Sequence, residues 1–467
     1  MSSIRDYQVD HLLLLIGSNP LPNAVAGKLL VAEGGMITLI HSKDTAPLAE
    51  RLEAWLKSAR ASETPVASIE LAEVKESDAG SVYRRVEKVL NDYKSKARQT
   101  GRACVGLHYT GGTKVMSVHA YRALEHWAQK HHQEALFSYL DAHTLCMRIE
   151  SISSSVPLSF PVALEVEISL DELVKMHGWQ WQQGKKSLPQ KPVTEPLLPE
   201  SAAALLAIHS KPDGAKIWVQ WLSRTLYPFA RKRDPIPSPL WYSSSGQEVQ
   251  EPIQQASNKW KSDPQLRELA IPWPDQPDLG DAMKKELGQM GVANLKLIAG
   301  KESGHFESEE DFCKWLSGNW LESAVLSALQ NCPEDLHLKE CCMNLHLTPG
   351  KDREKRDRVE FEFDVVARRG YQLFAFSCTT ESGTGKGETG LLKQKLFEVY
   401  IRARQMGGEE ACAALVCCLE PNEVDKLERE VRHDIGPEVR IRVFGRDQLA
   451  NLSQNLEDWI REQSKEG

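Results

Sequence analysis

The sequence predicts an α/β protein with a sheet domain at each end and a mainly helical stretch between them. Three observations carry this. Short apolar runs alternate with longer amphipathic segments over residues 9–149, the pattern of a parallel, doubly wound sheet. From residue 150 to about 300 that alternation gives way to Pro-rich and Trp-rich sequence. From about Phe306 it returns as a helix, adjacent strands, a helix and a strand, which makes a mixed sheet. A chain of 467 residues is too long for one hydrophobic core, so we divide it into 1–150, 151–300 and 301–467.

The elements follow in order. Val9 to Ile16 reads as a strand, Gly17-Ser18-Asn19-Pro20 as a turn, and the segment through Ala32 as a helix. Met36 to His41 and Ser68 to Leu71 are the next strands, with a helix from Ala46 to Ala59 between them. Val82, Val86 and Leu90 form one helical stripe within Ser77 to Ala97. Ala103 to Tyr109 is a strand, and Thr113 to Lys130 the helix after it. In the middle, Lys186 to Glu200 is a Pro-rich linker and Ser201 to Leu226 is helical. Seven of the twelve Trp fall between Trp179 and Trp273, either as fillers of irregular gaps or as a stacking platform for bases. Further on, Phe312 to Gln330 is helical, and His337 to His346, Val359 to Val366 and Gln372 to Cys378 are strands. A Gly-rich loop, Ser382 to Gly390, leads into a helix from Leu391 to Met406, then a buried strand from Ala411 to Cys418.

Composition narrows the class. With 41% hydrophobic and 26% charged residues the chain is an ordinary globular protein. A formal charge of −8 excludes a wholesale basic coat for nucleic acid, though not a local groove. No apolar run approaches the roughly 20 residues that span a bilayer, and the N-terminus lacks a signal-peptide pattern. We expect no membrane partner and a cytoplasmic location. The ten Cys contain no C-x-x-C pair, and the adjacent pairs Cys341/Cys342 and Cys417/Cys418 read as reduced, buried residues. Three basic clusters, Arg231 to Arg233, Lys351 to Arg358 and Arg429 to Arg442, are solvated loops or contacts for a polynucleotide backbone.

The first candidate site is His108-Tyr109-Thr110-Gly111-Gly112-Thr113-Lys114-Val115-Met116. Two glycines let the backbone approach an anion, the following helix turns its N–H groups toward it, and Lys114 adds charge. This is a phosphate cradle at the carboxyl end of a strand, or a tight turn with a capping Thr. The turn Gly17 to Pro20 lies on the same edge, so Ser18 and Asn19 can complete the pocket. The first-strand S-N-P turn and the T-G-G-T-K-x-M turn resemble the CARF domain of CRISPR ancillary effectors, in the subgroup that carries a C-terminal PD-(D/E)XK nuclease domain. The resemblance covers about the first 150 residues. It implies that Ser18, Asn19, Thr110, Gly111, Gly112, Thr113, Lys114 and Met116 bind a cyclic oligoadenylate, most often cyclic tetra-adenylate, across a homodimer. A two-fold ligand suits such an interface, which presents each contact twice.

The second candidate site lies in the C-terminal sheet. Gly318-Asn319-Trp320-Leu321-Glu322 resembles the G-x-W-L-E element of that nuclease domain, and Glu360-Phe361-Glu362-Phe363-Asp364-Val365 its E-L-D-V strand. The third element, E-x-K, falls on Ser377-Cys378-Thr379, so the metal-binding acid and the lysine are both replaced. Phosphodiester hydrolysis needs carboxylates to hold a divalent cation, Mg²⁺ or Mn²⁺, with a cation beside the nucleophile. The resemblance makes Asp364 and Glu322 the metal ligands. Glu362 joins them, or is simply an acid on the solvent face of a strand.

Three readings follow for this domain. In the first, Glu381 or Glu388 supplies the acid and Lys386, Lys393 or Lys395 the cation, and an activated nuclease cleaves DNA or RNA. In the second, a silent nuclease fold binds nucleic acid or a partner protein. In the third, Ser377, Cys378 and Thr379 belong to a different chemistry, although no His stands near Cys378 in sequence to serve as a base. Separately, the sensor domain could act as a slow ring nuclease, since in-line attack by a 2′-hydroxyl needs only positioning and charge stabilisation.

Overall fold

A computed structural model describes residues 3–61, 64–97, 104–182, 192–236, 253–350, 360–382 and 388–464. The first apolar run forms β1 (Val9–Leu15), buried at every position but Asp10, as a strand covered on both faces must be. There follow α1 (Leu21–Leu29), β2 (Val31–His41), α2 (Ala46–Arg60), β3 (Ser68–Glu73), α3 (Ala79–Ala97), β4 (Val105–His108) and α4 (Lys114–His131). Three more strands complete the sheet: β5 (Ala135–Asp141), β6 (Cys146–Ser151) and β7 (Ser154–Pro161). Their order is β3-β2-β1-β4-β5-β6-β7, parallel through β5 and antiparallel for the last two.

Two features of this sheet depart from the sequence reading. The helix after the first turn stops at Leu29, where Arg60, 1% exposed, donates to the carbonyls of Gly27, Lys28 and Val31 at 2.8–3.0 Å. The first two are carbonyls a helix end leaves without partners, so a buried guanidinium closes α1 and ties it to the start of β2. The boundary expected at residue 150 also falls inside the sheet, because β6 and β7 cover the edge that β5 would otherwise leave open.

The second sheet has six strands in the order β17-β16-β15-β14-β13-β8. Its edge strand β8 (Trp179–Trp181) comes from the stretch read as a connector and pairs antiparallel with β13 (Leu338–Pro349). Two small hairpins intervene in sequence, β9 (Arg231–Ile236) with β10 (Ile253–Trp260) and β11 (Ala270–Pro272) with β12 (Asn294–Lys296). β14 (Phe361–Arg369) lies antiparallel between β13 and β15 (Gln372–Cys378), while β16 (Cys412–Val416) and β17 (Ile441–Phe444) continue in parallel. Trp218 and Trp221 stack with centroids 4.6 Å apart, both buried, and the Trp218 indole donates to the Leu316 carbonyl at 3.0 Å. These two Trp fill the core rather than form a base platform.

The two sheets share an apolar core. One contiguous cluster runs from Leu12, Leu14 and Val25 of the first sheet layer through Val166 and Leu173 to Leu345, Tyr371, Leu396 and Leu415 of the second. A second cluster covers the other face of the C-terminal sheet and takes in the middle helices, and a third lies under α3 and α4. Gly370 sits at this seam with φ 58, and a Cβ there would stand 1.9 Å from the Ala163 carbonyl oxygen. Gly370→Ala is therefore expected to cost roughly 1–3 kcal/mol, measured as a lowered urea midpoint.

Candidate active site and sensor loop

The turn Gly17–Pro20 and the turn after β4 meet where the strand order reverses, since β1 pairs with both β2 and β4. Their glycines serve that meeting. A Cβ on Gly111 would fall 2.1 Å from the Leu15 carbonyl oxygen, one on Gly17 would fall 2.8 Å from the Gly112 nitrogen, and Gly112 has φ 76. Thr113 caps α4, its hydroxyl accepting the Met116 N–H at 3.2 Å, and the Thr110 hydroxyl accepts the Leu140 N–H at 2.7 Å. Ser18, Thr110, Thr113 and Lys114 are exposed along the rim, and Lys114 begins α4. Met116, read as a binding residue, is corrected to a core residue at 1% exposure, because the third position of this helix faces the sheet. Beneath the turn, His108 is fully buried against the Ser138 hydroxyl at 3.1 Å, and burial pulls its imidazole down to about 3.

Asn19 points two ways. Its Oδ1 accepts the Leu21 N–H at 3.0 Å and anchors the start of α1. Its Nδ2 and Glu410 Oε2, from the C-terminal half of the chain, both border Gly408, 2.0 and 2.6 Å from where a Cβ would stand, and Glu410 Oε2 is buried without a hydrogen-bond partner.

In the C-terminal sheet three acids gather. Glu322 stands on the helix Trp320–Gln330, 9% exposed, while Glu362 and Asp364 project from β14. Asp364 Oδ2 accepts the Cys378 N–H at 2.6 Å and the Ser377 hydroxyl at 3.1 Å, so the residue at the missing acid's position now braces its neighbour. Glu362 lies opposite His346 in register, with Oε1 3.3 Å from Nε2. Asn344, in β13, takes a left-handed φ of 58 at the wall of the same cleft. The cleft measures about 590 Å³ and is bounded by Lys314, Trp315, Glu322, His346 and Glu362, with His305 from the middle region.

The electrostatics are those of crowded carboxylates. Burial, then Asp364 and Glu362, push the Glu322 carboxyl well above its ordinary range. Burial and Asp364 push Glu362 up to about 7, and burial raises Asp364 against the bond from Cys378. Lys395, on the helix Glu388–Gly407, pulls all three back toward ionisation. Lys393 is corrected: it pairs with Asp434 at 2.9 Å and Glu430 at 3.6 Å, because two residues along a helix turn a side chain to nearly the opposite face. Past the end of β15, the Glu381 carbonyl accepts the Cys418 N–H at 3.1 Å. Cys378 is buried and its thiol is raised well above the ordinary value, which removes it as a nucleophile.

The donor chemistry, three oxygen ligands short of positive charge, fits a hard divalent cation. Among the described residues no group of three or more His, Cys, Asp or Glu is already spaced to hold a metal ion. Lys386, the side chain of Glu388 and the basic run Lys351 to Arg358 lie outside the described residues. The other basic clusters have structural work. Arg231 stacks on the Tyr227 ring at 3.6 Å, and Arg432 and Arg440 donate to backbone carbonyls. All ten cysteines are free thiols, and no helix among the described residues is long and apolar enough to cross a membrane.

Residues 309–463 match the family model for the Card1-like endonuclease domain. No curated protein matches the sequence. Among solved structures, protein VC1899 from Vibrio cholerae is similar with a TM-score of 0.61 at 14% identity, covering 97% of this chain and 99% of its own. Can2 from Sulfobacillus thermosulfidooxidans, solved in complex with cyclic tetra-adenylate, is similar with a TM-score of 0.57 at 15% identity, covering 98% and 99%. The architecture drawn from the sequence, an α/β sheet at each end of the chain, is borne out, and the C-terminal part matches an endonuclease domain.

Glu322 gives a test of the crowded site that does not depend on activity. Its folded carboxyl holds a proton to higher pH than the unfolded one, so stability falls as pH rises from the unfolded value. Glu322→Gln should melt a few degrees above the unmodified protein at pH 8 without metal, with the gap closing on acidification. Added Mg²⁺ or Mn²⁺ should raise the unmodified protein's melting temperature more than the variant's.

Proposed function

We propose that this chain is a cyclic-oligoadenylate-sensing nuclease of type III CRISPR antiviral defence, working as a homodimer. The single observation that carries the reading is the gathering of Glu322, Glu362 and Asp364, the two glutamates lining a cleft, within residues that match an endonuclease domain. Asp364, Glu322 and Glu362 would hold the divalent cation, which when bound activates water and neutralises charge on the scissile phosphate. Ser377 and the Cys378 N–H fix the Asp364 carboxylate in place of the missing acid. Lys395 supplies from the helix the positive charge that Thr379 cannot, stabilising the charge that develops on the phosphate. His346 holds Glu362 in line from the neighbouring strand.

At the other end, the rim of Ser18, Thr110, Thr113 and Lys114 with the amide of Asn19 would take the phosphates and riboses of cyclic tetra-adenylate. The solved relation to Can2, whose structure holds that ligand, supports this choice. Ligand contacting both subunits would favour one dimer arrangement and so one state of the cleft. A second reading, a silent domain that binds DNA, RNA or a partner protein, is favoured by the engagement of Asp364 Oδ2 with Ser377 and Cys378.

Cleavage of DNA and RNA with Mg²⁺ or Mn²⁺, with and without cyclic tetra-adenylate, separates the two. The nuclease reading expects cleavage that needs the ligand, that Asp364→Ala and Lys395→Ala each lower about 10²-fold or more, and that Lys393→Ala leaves unchanged. Cleavage should also fall as pH drops below about 7, where Glu362 takes up its proton and ceases to be a ligand. No cleavage under any condition, with ligand binding intact, would establish the silent domain. Lys114→Ala should weaken ligand binding roughly tenfold, read by calorimetry.

A further inference from the structure

The cleft bounded by Glu322 and Glu362 carries a cation of its own, on a different helix from Lys395. Among the described residues that bound it, five are acids, Glu195, Glu307, Asp311, Glu322 and Glu362, and Lys314 is the one Lys or Arg. Lys314 ends the helix Glu309–Lys314, and a π turn, Trp315–Asn319, kinked at Gly318, joins it to the helix that carries Glu322. Residues eight apart on an unbroken α-helix stand about 80° apart around its axis. Across this wide turn Lys314 and Glu322 face one cleft, and such turns recur at functional sites. The backbone beside Lys314 is pinned, because Trp315 is buried and its indole donates to the Ser323 hydroxyl at 3.3 Å.

The Lys314 ammonium lies 2.9 Å from Glu310 Oε1 and 3.5 Å from Asp311 Oδ1, with its side chain 43% exposed. An ammonium has three N–H donors, so these two pairs leave it the capacity for a further acceptor. Its charge also draws Glu362 toward ionisation. We infer that Lys314 is the phosphate-binding residue of this cleft, its ammonium taking a backbone phosphate of a polynucleotide that lies across the acids. The chemistry requires such a group. Five carboxylates repel a phosphodiester, and a divalent cation at Glu322, Glu362 and Asp364 offsets only part of that charge. Thr379 offers no cation, and Lys395 does not border the cleft. Exposed ion pairs are weak, so a phosphate can draw the ammonium from Glu310 without disturbing the fold. The inference rests on the nucleic-acid reading of the acid cluster and names the residue by which the cleft grips its substrate.

The test uses the full chain with cyclic tetra-adenylate. Dissociation constants for labelled single-stranded DNA and RNA are read by fluorescence anisotropy between roughly 50 and 200 mM salt, with and without Ca²⁺. Lys314→Ala should weaken binding roughly fivefold or more at the lowest salt and reduce the slope of log Kd against log salt by about 0.7. Lys314→Arg should restore both. Lys57→Ala breaks a similar exposed pair on α2 and should change neither. Where Mg²⁺ supports cleavage, the loss in Lys314→Ala should fall on KM more than on kcat. Unchanged binding in Lys314→Ala, or a loss that leaves the salt slope as it was, overturns the inference and leaves the reading of the acids intact. Binding without cleavage overturns the nuclease reading, and the salt slope still decides the role of Lys314. Failure of the unmodified protein to bind either oligonucleotide overturns the nucleic-acid reading, and this inference with it.

Discussion

A single apolar cluster that passes from the N-terminal sheet into the C-terminal one constrains everything else in this molecule. Leu14 and Val25 belong to the same contiguous packing as Tyr371 and Leu415, so neither sheet can turn on the other without opening a cavity. Cavities of that kind cost several kcal/mol, which excludes a loose tether between two independent modules. Whatever passes between the ends of the chain must travel by small displacements of packed elements. The polar groups at the seam then gain importance, because they are the ones with alternative partners. Arg440 binds two carbonyls of the β5–β6 hairpin, and Asn19 anchors α1 at Leu21 while its amide nitrogen borders Gly408.

The acid cluster meets a related constraint. Of three carboxylates from one helix and one strand, Glu322 is buried, Asp364 half-buried and Glu362 exposed, and Asp364 raises the proton affinity of both glutamates. A protein that had only lost a nuclease would gain by replacing these groups with apolar ones of similar volume. Instead the acids stand with two bonds from β15 fixing one of them and a lysine opposite. Ser377 is informative here. It removes a ligand from the usual position, yet its hydroxyl and the next N–H orient Asp364, while Glu362 enters from the same strand as a third oxygen donor.

Much of this was legible in the sequence, for physical reasons that also explain what was not. Buried parallel strands are continuous apolar runs, so β1, β4 and β16 stand out from composition alone. β6, β7 and β8 do not, because edge and hairpin strands carry mixed residues and owe their existence to the neighbour they cover. The glycines after β4 were read as room for an anion, and the structure gives them a nearer duty, the approach of two turns. Lys393 and Lys395 are indistinguishable by composition; only the phase of the helix decides that one meets Asp434 and the other the acids. Asn19 and Glu410 lie at opposite ends of the chain, and no local pattern links them.

These two constraints combine into a statement about energy. The shared core is too costly to rearrange. A hydrogen bond to a charged group contributes about 1.5–3 kcal/mol. That range matches the 1–3 kcal/mol of coupling usual between two sites in one protein, and it is small beside the core. Bonds such as those of Arg440 to the β5–β6 hairpin are of that scale, and making or breaking them would leave the fold intact. A larger switch would have to break the packing of Tyr371 and Leu396, and nothing in the burial of those residues provides for it.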